Sequence, residues 1–393
     1  MKYTILHKTV YEYEAPVSHG RHVIRKRPRP LSFQTVHSSS VTSDPAPVWT
    51  RRELDYFGNE VDHIEVLTPH ERLEVVTKSE VSVGKRPIDE GLPLFQQGWE
   101  AVRERVITDP SCFFAREMTL NSPLVPLGRQ LIELASSVFA PGRGLLEAVV
   151  ELNQKIFKEY SYDPLVTEIA TPLSTVLSTK RGVCQDFAHV AVGALRSLGL
   201  PARYVSGYLE TLPPPGKERL VGADASHAWA SVFVPDFGWV DFDPTNGILP
   251  GERHIVVAWG RDFADVSPLR GVVLGGGRHS LAVSVDVAPE LLETAERASL
   301  AQKPASVPAP SGPVAPGPAA PASAPPGSVA PPGSVAPPGS VAPPGSVPAP
   351  TAPVSPGPAL VSPAPPPAEP VPVDPAAPGG VQPGQAPTGP EVL

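Results

Sequence analysis

A cysteine becomes a nucleophile when its thiolate is stabilised and a base stands within hydrogen-bond reach. The chain of 393 residues has two cysteines, Cys112 and Cys184, in different settings. Cys184 lies in Gly182-Val183-Cys184-Gln185-Asp186-Phe187-Ala188-His189. From Phe187 onward apolar residues recur at 187, 190, 191, 194, 195 and 198, the spacing of one helix face. Gly199 and Pro201 then end the helix. Cys184 therefore falls in the first turn, where unpaired backbone N–H groups and the helix dipole favour a thiolate. Taken alone, this helix leaves open that Cys184 is only a small buried hydrophobe. Cys112, in Asp109-Pro110-Ser111-Cys112, has no comparable cap and reads as structural.

The base and its orienting partner are sought in one hairpin. Residues 226–234, SHAWASVFV, read as a strand, Pro235-Asp236-Phe237-Gly238 as a turn, and WVDFD up to Pro244 as the returning strand. His227 would then stand on one strand and Asp241 and Asp243 on the other, sharing a face by alternation. A four-residue loop would pair Val234 with Trp239 and turn His227 away from both aspartates. An odd loop or a one-residue bulge is required. With such a loop Asp243 lies diagonal to His227, and Asp241 lies roughly 7 Å further toward the turn. Cys184, His227 and, in such a register, Asp243 are therefore candidates.

The elements that must position these groups are of two kinds. Residues 1–88 carry short β-branched and aromatic runs with a Phe57-Gly58-Asn59 turn, and predict an N-terminal antiparallel β domain. Residues 89–287 predict an α+β core. Helices are expected over 124–139 and 145–160, parted by Pro141-Gly142, with a third after Gly182. Strands are expected over 202–209, 227–234, 239–243, 255–259 and 281–287. Residues 288–393 form a tail of a third kind. Of the 54 prolines 31 lie in 301–393, which has no Phe, Trp or Tyr, so it cannot bury enough surface to offset its conformational entropy. Its PPGSVA units are too short for a solenoid and predict extended, disordered chain, a spacer or a ligand for a proline-binding module.

The segments GVCQDFAHV, LGLPARYVSGY, SHAWASVFVPDFGWVDFDPTNG and AWGRDFADVSPLRGV resemble bacterial transglutaminase-like proteins over about residues 150–287. Residues 1–88, with their FGN and TPH segments, are similar to the β domain that precedes the core in many bacterial members. The resemblance implies a papain-like fold of helices packed on an antiparallel sheet, with Cys184 as nucleophile, His227 as base and Asp243 as orienting carboxylate. It implies acyl transfer through a thioester on a peptide or protein substrate. A protease or amidase comes first, a transglutaminase or amide-forming acyltransferase second, and a non-catalytic peptide-binding protein third. Papain-like enzymes carry a Gln, and animal transglutaminases a Trp, upstream of the cysteine; Leu177-Ser178-Thr179-Lys180-Arg181 has neither. The calcium of the animal enzymes is not carried over, since no acidic ligand loop stands out.

Other classes find little support. Net charge is −8, against the basic footprint of nucleic-acid binders. The one basic run, Arg25-Lys26-Arg27-Pro28-Arg29, reads as a solvated strand edge rather than a phosphate patch. His189 lies five positions from Cys184 and reads as structural. His7, His19, His22, His37, His63, His70, His254 and His279 show no metal-ligand spacing, and Gly275-Gly276-Gly277 lacks the rest of a phosphate loop, so no metal or cofactor is expected. Lys2, His7, Lys8 and Glu12 break any signal-peptide core, and no window approaches a membrane span, which points to a cytoplasmic protein with no membrane partner. The loop Leu212-Pro213-Pro214-Pro215-Gly216-Lys217-Glu218 is a candidate for subsite preference. Deleting residues 301–393 should leave cooperative unfolding unchanged, a result that thermal melts of the full and shortened chains would check.

Overall fold

Alternation at period two governs the first strand. Tyr3, Ile5, His7 and Thr9 are buried while the residues between them are less so, as one face of a half-buried strand requires. The structure, a computed structural model, describes residues 1–90, 97–164, 171–211 and 226–290. Its first strand, β1 (Lys2–Ile24), is followed by β2 (Gln34–Asp44), β3 (Trp49–Leu54), β4 (Glu60–Val66) and β5 (His70–Val83). These form an antiparallel sheet in the order β2-β5-β1-β4-β3. β1 serves both halves of it: its first part pairs with β5 and Gly20 to Ile24 pair with β4.

The core begins with α1 (Trp99–Thr108), α2 (Phe113–Arg116), α3 (Arg129–Ser136) and α4 (Leu145–Glu159). α3 is shorter than the 124–139 expected from periodicity, because Gly128 is fully extended and starts the helix late. β6 (Ser161–Tyr162), α5 (Leu173–Thr179), β7 (Arg181–Gly182) and α6 (Cys184–Ser197) lead into β8 (Ala202–Leu209). β9 (Ser226–Val234), β10 (Gly238–Phe242) and β11 (His254–Gly260) complete an antiparallel sheet in the order β10-β9-β8-β11. One apolar core joins Phe187, Val190, Ala191 and Leu195 of α6 to Ala230, Val232 and Phe242 of that sheet and to Leu131 and Leu152 of the helices beyond. The far end of α6 is tied by Arg196, which is buried and donates to the carbonyls of Ala202, Arg261 and Leu120.

Two expectations need correction here. After α7 (Phe263–Val266) the chain forms β12 (Leu269–Gly275) and β13 (His279–Pro289), and both pair with β1. The strand expected over 281–287 thus belongs to the N-terminal sheet, and it runs past the expected 287/288 boundary. All described residues fall in one compact unit. Tyr3, Ile5, Val81, Val285 and Val287 share a cluster with Tyr204, Tyr208, Ala228 and Ile255 of the core. Pairing over some 270 residues leaves no local signature that a sequence window could detect.

The basic run is the second correction. Arg25, Lys26 and Arg27 are buried, not solvated. Arg25 bonds Asp55 at 3.0 Å, Arg27 takes both oxygens of Asp62, and Arg29 stacks on Trp259 at 3.6 Å. Carboxylates and an indole distant in sequence make that burial tolerable. The loop 212–218 and the tail lie outside the described residues. Among the described residues no helix is long and apolar enough to cross a membrane.

Gly207 on β8 tests the packing of the sheet that carries the site. A Cβ there would stand 2.1 Å from the Ile255 carbonyl oxygen and 2.4 Å from the Trp229 ring. A backbone atom cannot retreat as a flexible side chain can. Gly207→Ala should therefore destabilise the protein by at least roughly 1–3 kcal/mol, measured by chemical denaturation. Unchanged stability would contradict the tight packing.

Candidate active site

Cys184 opens α6 because its neighbours start a helix there. Val183 is extended, and its N–H donates to Asp186 Oδ2 at 2.9 Å, one half of a capping box. Gly182 makes this return bond feasible, since a Cβ would lie 2.6 Å from that oxygen. Cys184 is then the first helical residue, beside backbone N–H groups with no carbonyl inside the helix to receive them. Its side chain is only partly buried, whereas that of Cys112 is buried.

His227 and Asp243 arrive from the hairpin. Val234 pairs with Gly238 and Ser231 with Asp241, so the loop has three residues and the odd-loop register holds. Asp236 (φ +66°) and Gly238 (φ +102°) supply the left-handed backbone that closes it. Asp243 sits just past β10, and its carboxylate accepts from every side. Oδ1 takes the backbone N–H of Thr245 at 2.9 Å and of Asn246 at 3.2 Å. Oδ2 takes His227 Nε2 at 2.8 Å, Asn246 Nδ2 at 2.7 Å and His254 Nε2 at 3.1 Å. Asp241 does not reach the imidazole; its Oδ2 accepts from Arg86 Nη1 at 2.6 Å and Trp229 Nε1 at 3.1 Å.

With Nε2 of His227 committed to Asp243, Nδ1 is the nitrogen left for the Cys184 thiol, which lines the same cleft. Burial alone would lower the pKa of His227. Its bonds and charge interactions with Asp243 and Cys184 overcome burial and raise it to about 10. Burial likewise opposes the charge on Asp243, yet the bonds from His227, His254 and Asn246 hold its carboxyl well below the usual carboxylate range. For His254 burial wins over Asp243, and its pKa falls. The phenols of Tyr162 and Tyr204 are pushed up, first by burial and then by the nearby Cys184 charge, so both remain protonated beside the sulfur.

The three residues chosen from sequence are thus brought together. His254 and Asn246 were not foreseen as members. Asn246 had a readable signal, three positions after Asp243 in an Asp-Pro-Thr-Asn turn. His254 had none, because it arrives on β11, the far edge of the sheet. His189 lies elsewhere, buried, with Nε2 accepting from the Phe263 N–H at 3.2 Å. Among the described residues His227, Asp243 and His254 are the one set close enough to share a metal ion. Their separations are those of hydrogen bonds, and a cation there would take the Nε2 that His227 donates to Asp243.

A cleft of about 370 Å³ opens over Cys184 and His227. Its opposite wall is the other sheet: Thr9 and Tyr11 of β1, and Leu281 and Val283 of β13. The buried pair also makes stability depend on pH. The folded pKa of His227 is raised, so its contribution is full below about pH 6.5 and drains as pH rises through about 10. In Asp243→Asn the ring stays buried without its carboxylate, so the loss of stability over that interval should shrink or vanish. Denaturation profiles that run parallel for the two proteins over that interval would contradict this assignment.

Comparison with known proteins followed the same division. Residues 132–244 match the model of the Transglutaminase-like superfamily, and residues 3–82 that of the Bacterial transglutaminase-like N-terminal region. An uncharacterized protein of Mycobacterium tuberculosis is 40% identical over 298 residues, 73% of this chain and 93% of that protein. A protein-glutamine gamma-glutamyltransferase of Pseudomonas aeruginosa is 30% identical over 196 residues, 47% of this chain and 29% of that protein. The crystal structure of a proposed cysteine protease from Cytophaga hutchinsonii superposes with a TM-score of 0.58 at 19% identity, covering 75% of this chain and 92% of that one.

Proposed function

The chain belongs to the transglutaminase-like superfamily, and on that premise we propose that it is a cysteine peptidase or amidase working through a thioester. One observation carries the reading: a partly open Cys184 at a helix N-terminus shares a cleft with a His227 held by a buried, ionised Asp243. The Cys184 thiolate adds to the carbonyl carbon of a peptide or carboxamide. The backbone N–H of Cys184 faces the developing oxyanion. His227, kept as imidazolium by Asp243, gives its proton to the departing amine as the C–N bond breaks. Water then attacks the thioester and passes one proton to His227, and the C–S bond breaks to release the acid and restore the Cys184 thiolate beside the His227 imidazolium.

Hydrolysis is ranked first because the partly exposed sulfur leaves the thioester within reach of water without a dedicated acceptor site. A second reading is favoured by the Pseudomonas aeruginosa relative: an amine in place of water would make the same thioester a transferase intermediate. Incubation with a peptide library, with and without added amine, separates the two. Free carboxylate products support hydrolysis, and amine incorporation supports transfer. Cys184→Ala should abolish either, and Asp243→Asn should lower turnover by roughly two to four orders of magnitude. Asp241→Asn, which leaves His227 paired, should cost far less. Iodoacetamide should label Cys184 much faster than Cys112. No turnover with equally slow labelling of both would leave a binding protein instead.

A further inference from the structure

Arg203 ends a row of polar side chains laid across the core sheet, away from the cleft. It lies opposite Ser231 on β9, which lies opposite Asp241 on β10, and directly opposed side chains share a face. Two indoles pack against its guanidinium, with the Trp259 ring centre at 3.7 Å and that of Trp239 at 4.3 Å. The residue is 7% exposed. Among the described residues it makes no hydrogen bond or ion pair, and its Nε is buried without a partner, as is the Ser231 hydroxyl beside it. Burial lowers its pKa to about 9, although Asp241 opposes the shift.

Asp241, the nearby carboxylate, is already engaged by Arg86 and by the Trp229 N–H. Arg203 and Arg86 line a cavity of about 180 Å³ whose other walls include Phe33, Trp239 and Trp259. This cavity shares no lining residue with the cleft above Cys184. A guanidinium buried without an acceptor is costly, and each such group in a folded protein calls for an occupant. The indoles meet the guanidinium through their ring faces and accept none of its N–H groups, and a planar fork of N–H groups is what grips an oxyanion with two parallel bonds.

We propose that this cavity is a binding site for a small oxyanion of carboxylate or phosphate type, held by Arg203, while the Asp241 carboxylate that also lines it is neutralised by its ion pair with Arg86. The indoles hold the fork in one orientation before the anion arrives, so little side-chain freedom is lost on binding. The site stands independently of the reaction proposed above.

The test is titration of the full chain with sodium phosphate and, separately, sodium acetate at fixed ionic strength, following tryptophan fluorescence and heat. Saturable one-site binding of either anion is expected, and the tighter of the two identifies phosphate or carboxylate as the natural group. Arg203→Lys keeps a charge but loses the planar fork, and should weaken binding by roughly tenfold or more. No saturable response of the unaltered protein to either anion would overturn the proposal, a result that needs no variant. Unchanged affinity in a folded Arg203→Lys would overturn it equally.

Discussion

The Asp243 carboxylate is the constraint around which the site is built. A buried anion is tolerable only when hydrogen bonds replace the water it has lost. Asp243 gathers two from the turn that follows it, one from Asn246 and one each from His227 and His254. The donors come from three local structures, the turn, β9 and β11. The hairpin register, the Asp-Pro-Thr-Asn turn and the placing of β11 must therefore all be right before the charge can be buried. The raised pKa of His227 follows from that arrangement.

A second burial problem shapes the rest of the molecule. Arg25, Lys26 and Arg27 run inward at the end of β1, and Arg29 and Arg203 stack on the same indole, Trp259. Cations are thus enclosed between the N-terminal sheet and the core, with carboxylates and aromatic faces as compensation. β1 also receives β13, so the sheet that begins the chain is completed by its last described strand. This return brings Leu281 and Val283 to the wall facing Cys184. The N-terminal sheet is part of the cleft rather than an appendage to it.

Local rules carried far in this sequence. The α6 face, its Gly182 entry and its Gly199 exit were legible because helix period and caps act within a few residues. The same holds for β9 and β10 and for the need of an odd loop between them, since alternation ties register to which face a side chain occupies. Those grounds made Cys184, His227 and Asp243 candidates, and the family resemblance joined them as one set.

What the sequence could not determine is what depends on contacts between distant segments. His254 looked like an isolated histidine until β11 set it against Asp243 at 3.1 Å. The basic run looked solvated because its partners Asp55, Asp62 and Trp259 are scattered along the chain. The strand over 281–287 was readable as a strand, but its partner was not, since alternation specifies a face and leaves the neighbour open. Helix caps, turns and alternation are short-range and written in adjacent residues; compensation of buried charge and long-range strand pairing are decided only when the whole chain is packed.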